Sequence, residues 1–244
     1  MKTIGIEKLS GEHREAILAT FYKGFDDYAV DRRGDVGSWV RQEAMVSLNQ
    51  YLFVLNSTED QSVRASLGAD KPEFYERFVA ANLQQLNEKI DRVREQAGRA
   101  LQKFFKFTAP LLGDIQFSHR DQLTALFVSG DAEVEQNDTD KDVSVDNALS
   151  LTTSLNDGIA YLPWRSAEFV FNSIKPFFDS EVYSIPILKG LITSSGGLTA
   201  STLKASQNSL FEHLSEMSKV KDQEGKIDRA AGIAQKRGFI KKLT

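Results

Sequence analysis

Residues 40–48 read Val-Arg-Gln-Glu-Ala-Met-Val-Ser-Leu, and residues 93–101 read Val-Arg-Glu-Gln-Ala-Gly-Arg-Ala-Leu. Val40, Arg41, Ala44 and Leu48 return as Val93, Arg94, Ala97 and Leu101 at a single offset of 53 residues. Six residues before each Arg stands an acid, Asp35 in the first copy and Glu88 in the second. Apolar residues three and four apart share one helix face, and self-similarity on that template marks a stack of helical repeats. Such arrays usually work as extended binding surfaces. The fold expected here is therefore all-α, a HEAT- or armadillo-like helical-repeat solenoid fragment, and the expected role is a scaffold.

Working outward, Ser10 is placed to cap a first helix carrying Ile17, Leu18, Phe21, Tyr22 and Phe25 at helical steps. The polar turn Asp31-Arg32-Arg33-Gly34 breaks it. A second helix follows with Val36, Val40, Ala44, Leu48 and Leu52 on one face, which completes a hairpin. Asp70-Lys71-Pro72-Glu73 reads as the start of the next helix, with Pro72 in its first turn and Glu73 as in a capping box. Phe74, Phe78, Leu83 and Leu86 form its stripe, and Ile90, Val93, Ala97, Leu101, Phe104 and Phe105 that of its partner. The spacing predicts helices near 12–29, 36–55, 72–87, 88–107, 166–177, 181–195 and 199–218. Gly196-Gly197 is a helix stop, with Thr199 or Ser201 capping the last helix. The expected organisation is two helical hairpins and a following loop over 1–128, an acidic insertion over 129–147, further hairpins over 148–220 and a basic tail over 221–244.

Composition excludes several function classes. Residues 129–147 hold seven acids against one Lys and almost nothing to bury, so the stretch is expected to stay a solvated, disordered insertion. Residues 226–244 hold six Lys or Arg against one Asp. A net charge of −4 argues against nucleic acid as a whole-protein partner. No window approaches the ~18 apolar residues of a membrane span, and residues 1–12 lack an apolar signal segment. Cysteine is absent, which removes disulfides, thiolate zinc sites and Cys nucleophiles and suits the cytosol.

Catalytic patterns are missing too. His13, His119 and His213 are far apart in sequence, with no metal-ligand spacing. Asp138, Asp140, Asp142 and Asp146 resemble a calcium loop, but Val143 stands where the turn needs Gly and Leu149 where a bidentate Glu is needed. No phosphate-cradling glycine loop and no Gly-x-Ser-x-Gly elbow occurs. The expectation is no enzyme, no metal and no cofactor. The residues singled out are Asp35, Trp39, Arg41, Glu88 and Arg94, as partner-binding or repeat-stitching positions. A repeated acid–Arg pair fits stitching better than an arginine finger. Trp39 and Trp164 are equally suited to an interface and to a core.

Asp27-Tyr28, Arg33-Gly34-Asp35-Val36-Gly37, Trp39-Val40-Arg41 and Ala44-Met45 together resemble the helix-turn-helix entry to the C-terminal domain of the tubulin-folding cofactor D family. Glu88 to Arg92 with Arg94 and Ala97 resembles a second block of that family, and Ser195-Gly196-Gly197-Leu198-Thr199 with Gln207 to Glu212 a third. His119-Arg120 with Leu123, Leu126 and Phe127 fits the stretch between them. The long acidic insertion and the basic tail depart from the family pattern. The family's long N-terminal repeat array has no counterpart here, so the resemblance predicts a C-terminal-domain fragment, or a truncated or misjoined gene model.

The resemblance implies a chaperone role in folding and disassembling the tubulin heterodimer, in the cytoplasm and at the microtubule cytoskeleton. It implies β-tubulin, an Arf-like small GTPase and cofactors C and E as partners. In that assembly GTP hydrolysis on tubulin is stimulated, with the transition-state Arg ascribed to cofactor C. The alternative is a GTPase activator acting directly on tubulin or the Arf-like GTPase, which needs an exposed Arg beside the nucleotide.

Overall fold

The computed structural model describes residues 5–128, 163–196, 199–217, 219 and 234. Helix dominates them, as the apolar spacing predicts, and their strands are one antiparallel pair of two residues each. The acidic stretch 129–147, its calcium-like pattern and the basic stretch 226–244 apart from residue 234 lie outside the described residues. The chain divides into two compact units, one formed by residues 1–82 and 95–162 and the other by 83–94 and 163–244.

In the first unit, α1 (Gly11–Phe25) starts where Ser10 Oγ accepts the His13 amide at 3.2 Å. It buries Leu18, Tyr22 and Phe25 from the predicted stripe. It stops four residues short of the predicted end because the next residues enter a hairpin, β1 (Val30–Asp31) paired with β2 (Gly34–Asp35). Helix α2 (Gly37–Ser57) follows and packs on α1, with Ala44, Leu48 and Leu52 buried. Val40 departs from the predicted buried face. It is 45% exposed. A short α3 (Gln61–Ser66), too brief for a periodic signal, is capped by Asp60 through the Ser62 amide at 2.9 Å.

Helix α4 (Pro72–Leu86) begins at the predicted proline. Its successor α5 (Asp91–Lys103) starts three residues later than predicted. It then widens into a π-helical turn, Phe104–Thr108, and tightens into the 3-10 turn Ala109–Leu112. Adjacent Phe104 and Phe105, at the start of the wide turn, are both buried. Phe104 lies 4.7 Å from Phe78, and Phe105 stacks 5.7 Å from Phe127. Aromatic pairs of this kind contribute about 0.5–1.5 kcal/mol each beyond burial. Tyr75 Oη, at the edge of the cluster, lies 2.7 Å from both Asn56 Oδ1 and the Ala69 carbonyl. Phe127 belongs to α6 (Arg120–Val128), where the apolar period breaks and a loop was expected. The helix is held there by Leu123 and Phe127 on its buried side. Arg120 also ties down the preceding segment, donating to the carbonyls of Ala109 (2.8 Å) and Ile115 (2.6 Å).

In the second unit, Trp164 is buried in the 3-10 turn Pro163–Arg165. Helix α7 (Ala167–Ile174) is capped by Ser166 Oγ, which accepts the Phe169 amide at 3.3 Å. A 3-10 turn, Lys175–Phe177, leads to α8 (Ser184–Ser195), which Gly196 closes as predicted. Helix α9 (Ala200–Met217) packs on both α7 and α8. Residues 83–94 meet this unit through Asn87, whose carbonyl accepts the Ser194 hydroxyl. Among the described residues no helix is long and apolar enough to cross a membrane.

Candidate partner-binding surface

The stretch 27–45 folds around Arg41. The tip of the hairpin holds Arg32 and Arg33, and Asp31 accepts the Arg33 amide at 2.7 Å, an Asx turn that reverses the chain. Gly34 follows at φ +107°, a value a side chain would strain. Gly37 then lets the start of α2 press against the incoming strand. Its amide reaches the Ala29 carbonyl at 2.9 Å, and a Cβ there would fall 2.3 Å from the Asp27 carbonyl oxygen. Asp35 caps α2 by accepting the Ser38 amide at 2.9 Å.

Arg41, with its side chain 0% exposed, closes the loop. Nη1 and Nη2 meet Asp35 Oδ1 and Oδ2 at 3.2 and 3.0 Å, and Nη1 also donates to the Asp27 carbonyl at 2.6 Å. The guanidinium carbon sits 4.2 Å from the Tyr28 ring centroid, a cation–π contact. A planar fork with both prongs on one carboxylate fixes direction as well as charge.

This frame carries four large apolar side chains outward. Val30 is 73% exposed, Trp39 50%, and Val40 and Tyr28 are also exposed. Arg33 lies over the Trp39 ring with its guanidinium carbon 5.4 Å from the centroid, and pairs with Asp31 at 2.8 Å. Its hydrogen bonds hold the Asp31 carboxyl below the usual carboxylate range. An exposed Trp beside β-branched residues, rimmed by paired charges and held on a rigid turn, has the composition of an interface anchor.

The second acid–Arg pair is built differently. Arg94 is also buried, but Nη1 donates to the backbone carbonyls of Glu88 (2.7 Å) and Lys89 (3.0 Å), and Nη2 to that of Arg165 (2.7 Å). The Glu88 carboxylate accepts the Lys89 amide. Burial pulls Arg94 below the usual guanidinium range, against the opposing pull of Asp91 and Glu88. Arg94 thus ties a helix entry to the 3-10 turn Pro163–Arg165, whereas Arg41 ties a helix entry to a hairpin.

The remaining candidates separate clearly. Trp164 is core, 5.4 Å from Phe169 in an edge contact, while Trp39 is at the surface. His13 lies beside its cap Ser10, His119 beside Gln122, and His213 is buried against Phe178 and near Asp179. Among the described residues no three His, Asp or Glu side chains gather as a metal site would need. Tyr28 entered the sequence reading only within the family resemblance, and Val30 did not stand out. The signal for Val30 was the pair of valines, Val30 and Val36, flanking Arg33-Gly34, too short a run to separate a hairpin from a polar turn.

Residues 76–234 match the family model described as tubulin folding cofactor D C terminal. The matched span contains Glu88, Arg94 and the Ser195-Gly196-Gly197 block, and it begins after the stretch folded around Arg41. No solved structure matches the chain.

Proposed function

The chain belongs to the tubulin folding cofactor D C-terminal family, and from that membership we propose that it is a chaperone module binding β-tubulin as a non-catalytic scaffold. Its place of action is the cytosol, at the microtubule cytoskeleton, and its further partners are an Arf-like small GTPase and cofactors C and E. The helical hairpins serve as units of a HEAT- or armadillo-like array. Supporting that reading, Arg41 and Arg94, Ala44 and Ala97, and Leu48 and Leu101 are all buried. The contact surface is the exposed set around Trp39, and the single observation favouring it is a half-exposed Trp on a turn fixed by buried Arg41.

Burial also weighs against direct GTPase activation. An arginine finger must extend into another protein's nucleotide site, and neither Arg41 nor Arg94 reaches solvent to do so. The test is a pull-down of purified tubulin, with and without the small GTPase, on wild type and on Trp39→Ala and Val40→Asp variants. Retention by wild type and a loss of at least tenfold in both variants is expected, with unchanged melting. Equal retention by all three moves the contact elsewhere. In single-turnover GTP hydrolysis by tubulin, the chain alone should leave the rate unchanged. An acceleration abolished by one Arg substitution that preserves folding would replace the scaffold with a catalyst.

A further inference from the structure

Residues 83–94 form a corner in which α4 ends at Leu86 and α5 begins at Asp91. The corner belongs to the second unit, with residues 163–244. The later part of the chain grips it on both arms. On the α4 arm, α8 turns two small residues one helical turn apart, Gly190 and Ser194, onto residues 84–87. A Cβ on Gly190 would fall 2.3 Å from the Gln84 carbonyl oxygen and 2.6 Å from Asn87 Cβ, so backbone meets backbone there. The Ser194 hydroxyl donates to the Asn87 carbonyl, a group just past the last turn of α4 that needs a partner from outside the helix.

On the α5 arm, Arg94 Nη2 donates to the Arg165 carbonyl at 2.7 Å, and the Arg165 guanidinium lies 3.6 Å from the Asp91 carboxylate. Leu83, Leu86 and Val93 are fully enclosed, and Gly190 and Ser194 are buried as well. These features are those of a contact between separate proteins: a close-packed centre, buried hydrogen bonds at two points, and an exposed ion pair at the rim. The two bonds join residues 71 and 107 positions apart in sequence. Recognition at the corner, by shape and by hydrogen bonding, therefore supplies what a covalent connection would otherwise have to supply.

We propose that the second unit is a two-part assembly, in which the corner 83–94 is the docking site for the 163–217 part of the same chain and holds it without help from the covalent connection. Cutting that connection leaves one assembled particle, and the docked part leaves and returns as a body. This is independent of the tubulin contact assigned to the Trp39 surface. The test uses the full chain with a protease recognition sequence in place of residues 136–142, cut after folding. Size-exclusion chromatography of the cut protein at about 1 µM should give one peak containing both pieces, with the circular dichroism of the uncut protein. Separation in urea followed by dilution should restore that peak. Ser194→Ala removes one buried bond and adds no bulk, so its cut form should dissociate at a concentration roughly tenfold higher than cut wild type. Gly190→Leu drives a side chain into the Gln84 backbone and should release the C-terminal piece outright on cutting. Circular dichroism of the uncut Ser194→Ala chain, expected to match wild type, separates loss of docking from loss of the fold. Two peaks from cut wild type overturn the proposal. Co-elution of the pieces of both variants with wild-type strength also overturns it, because the attachment then lies outside the corner.

Discussion

Arg41 and Asp35 meet prong to prong, Nη1 to Oδ1 at 3.2 Å and Nη2 to Oδ2 at 3.0 Å, with the Arg side chain fully enclosed. The sequence repeats this pair at Arg94 and Glu88, yet there the guanidinium rests on carbonyl oxygens of Glu88, Lys89 and Arg165. The same residue types at the same spacing thus do two jobs. In the first the acid carries the counter-charge and the helix cap together; in the second the backbone carries most of the hydrogen bonding.

Removing Asp35 should therefore be severe. Asp35→Ala leaves a buried guanidinium without its carboxylate and removes the α2 cap, an expected loss of roughly 3–5 kcal/mol. Denaturant melts measure it. The double variant Asp35→Ala with Arg41→Met should lose less than Asp35→Ala alone, because no charge is stranded. A greater loss in the double variant contradicts this account.

The repeat should split energetically at its first position. Leu48→Ala and Leu101→Ala each open a cavity in a fully buried site and should cost about 2–5 kcal/mol. Val40→Ala, at a half-exposed position, should stay within about 0.5 kcal/mol of wild type. Equal losses at Val40 and Leu101 in parallel urea titrations are the contrary result.

Three glycines offer a steric test. A Cβ on Gly37 would fall 2.3 Å from the Asp27 carbonyl oxygen, and one on Gly190 2.3 Å from that of Gln84. Both neighbours are backbone and cannot turn aside. Alanine at either site should cost at least about 1–3 kcal/mol. Gly11→Ala meets nothing within 4 Å and should be neutral or slightly stabilising. Thermal melts that rank Gly11→Ala with the other two would show that close approach is not what these positions require.

Acid should weaken the second unit through His213. Burial pushes its imidazole below the ordinary value near 6.5, while Asp179 and Glu216 pull the other way. The unfolded chain thus takes up the proton first. The stability contribution is present above pH 6.5 and declines as pH falls through that value. Stability of wild type should drop more steeply than that of His213→Gln between pH 7 and pH 5, in chemical melts at constant ionic strength. Parallel profiles would remove His213 as the cause.

Most helices were legible because apolar stripes at steps of three and four require a covered face, and Ser10, Pro72 and Gly196 punctuate them. Three features escaped for physical reasons. Helix α6 presents only Leu123 and Phe127 to the core, two positions in nine residues, which sets no period. The hairpin at Val30–Asp31 and Gly34–Asp35 is shorter than any alternating run. Val40 sits on the apolar side of the helical period yet faces outward, so no local pattern carried its exposure. At the candidate surface the residue types around Trp39 were visible, but Arg41 bonding both Asp27 and Asp35 at once depends on the folded path.

The inclusion of residues 83–94 in the second unit imposes a timetable on synthesis. Asn87 emerges from the ribosome well before Ser194, which donates to it across 107 residues of chain, and Arg94 emerges before the carbonyl of Arg165 exists. At ordinary elongation rates the interval from residue 94 to residue 163 is on the order of ten seconds. During that time Leu83, Leu86 and Val93 stand ready with their own unit unbuilt. The nascent chain therefore passes through a window of exposed apolar surface that a general chaperone is suited to cover. A chain terminated before Pro163 never leaves that window.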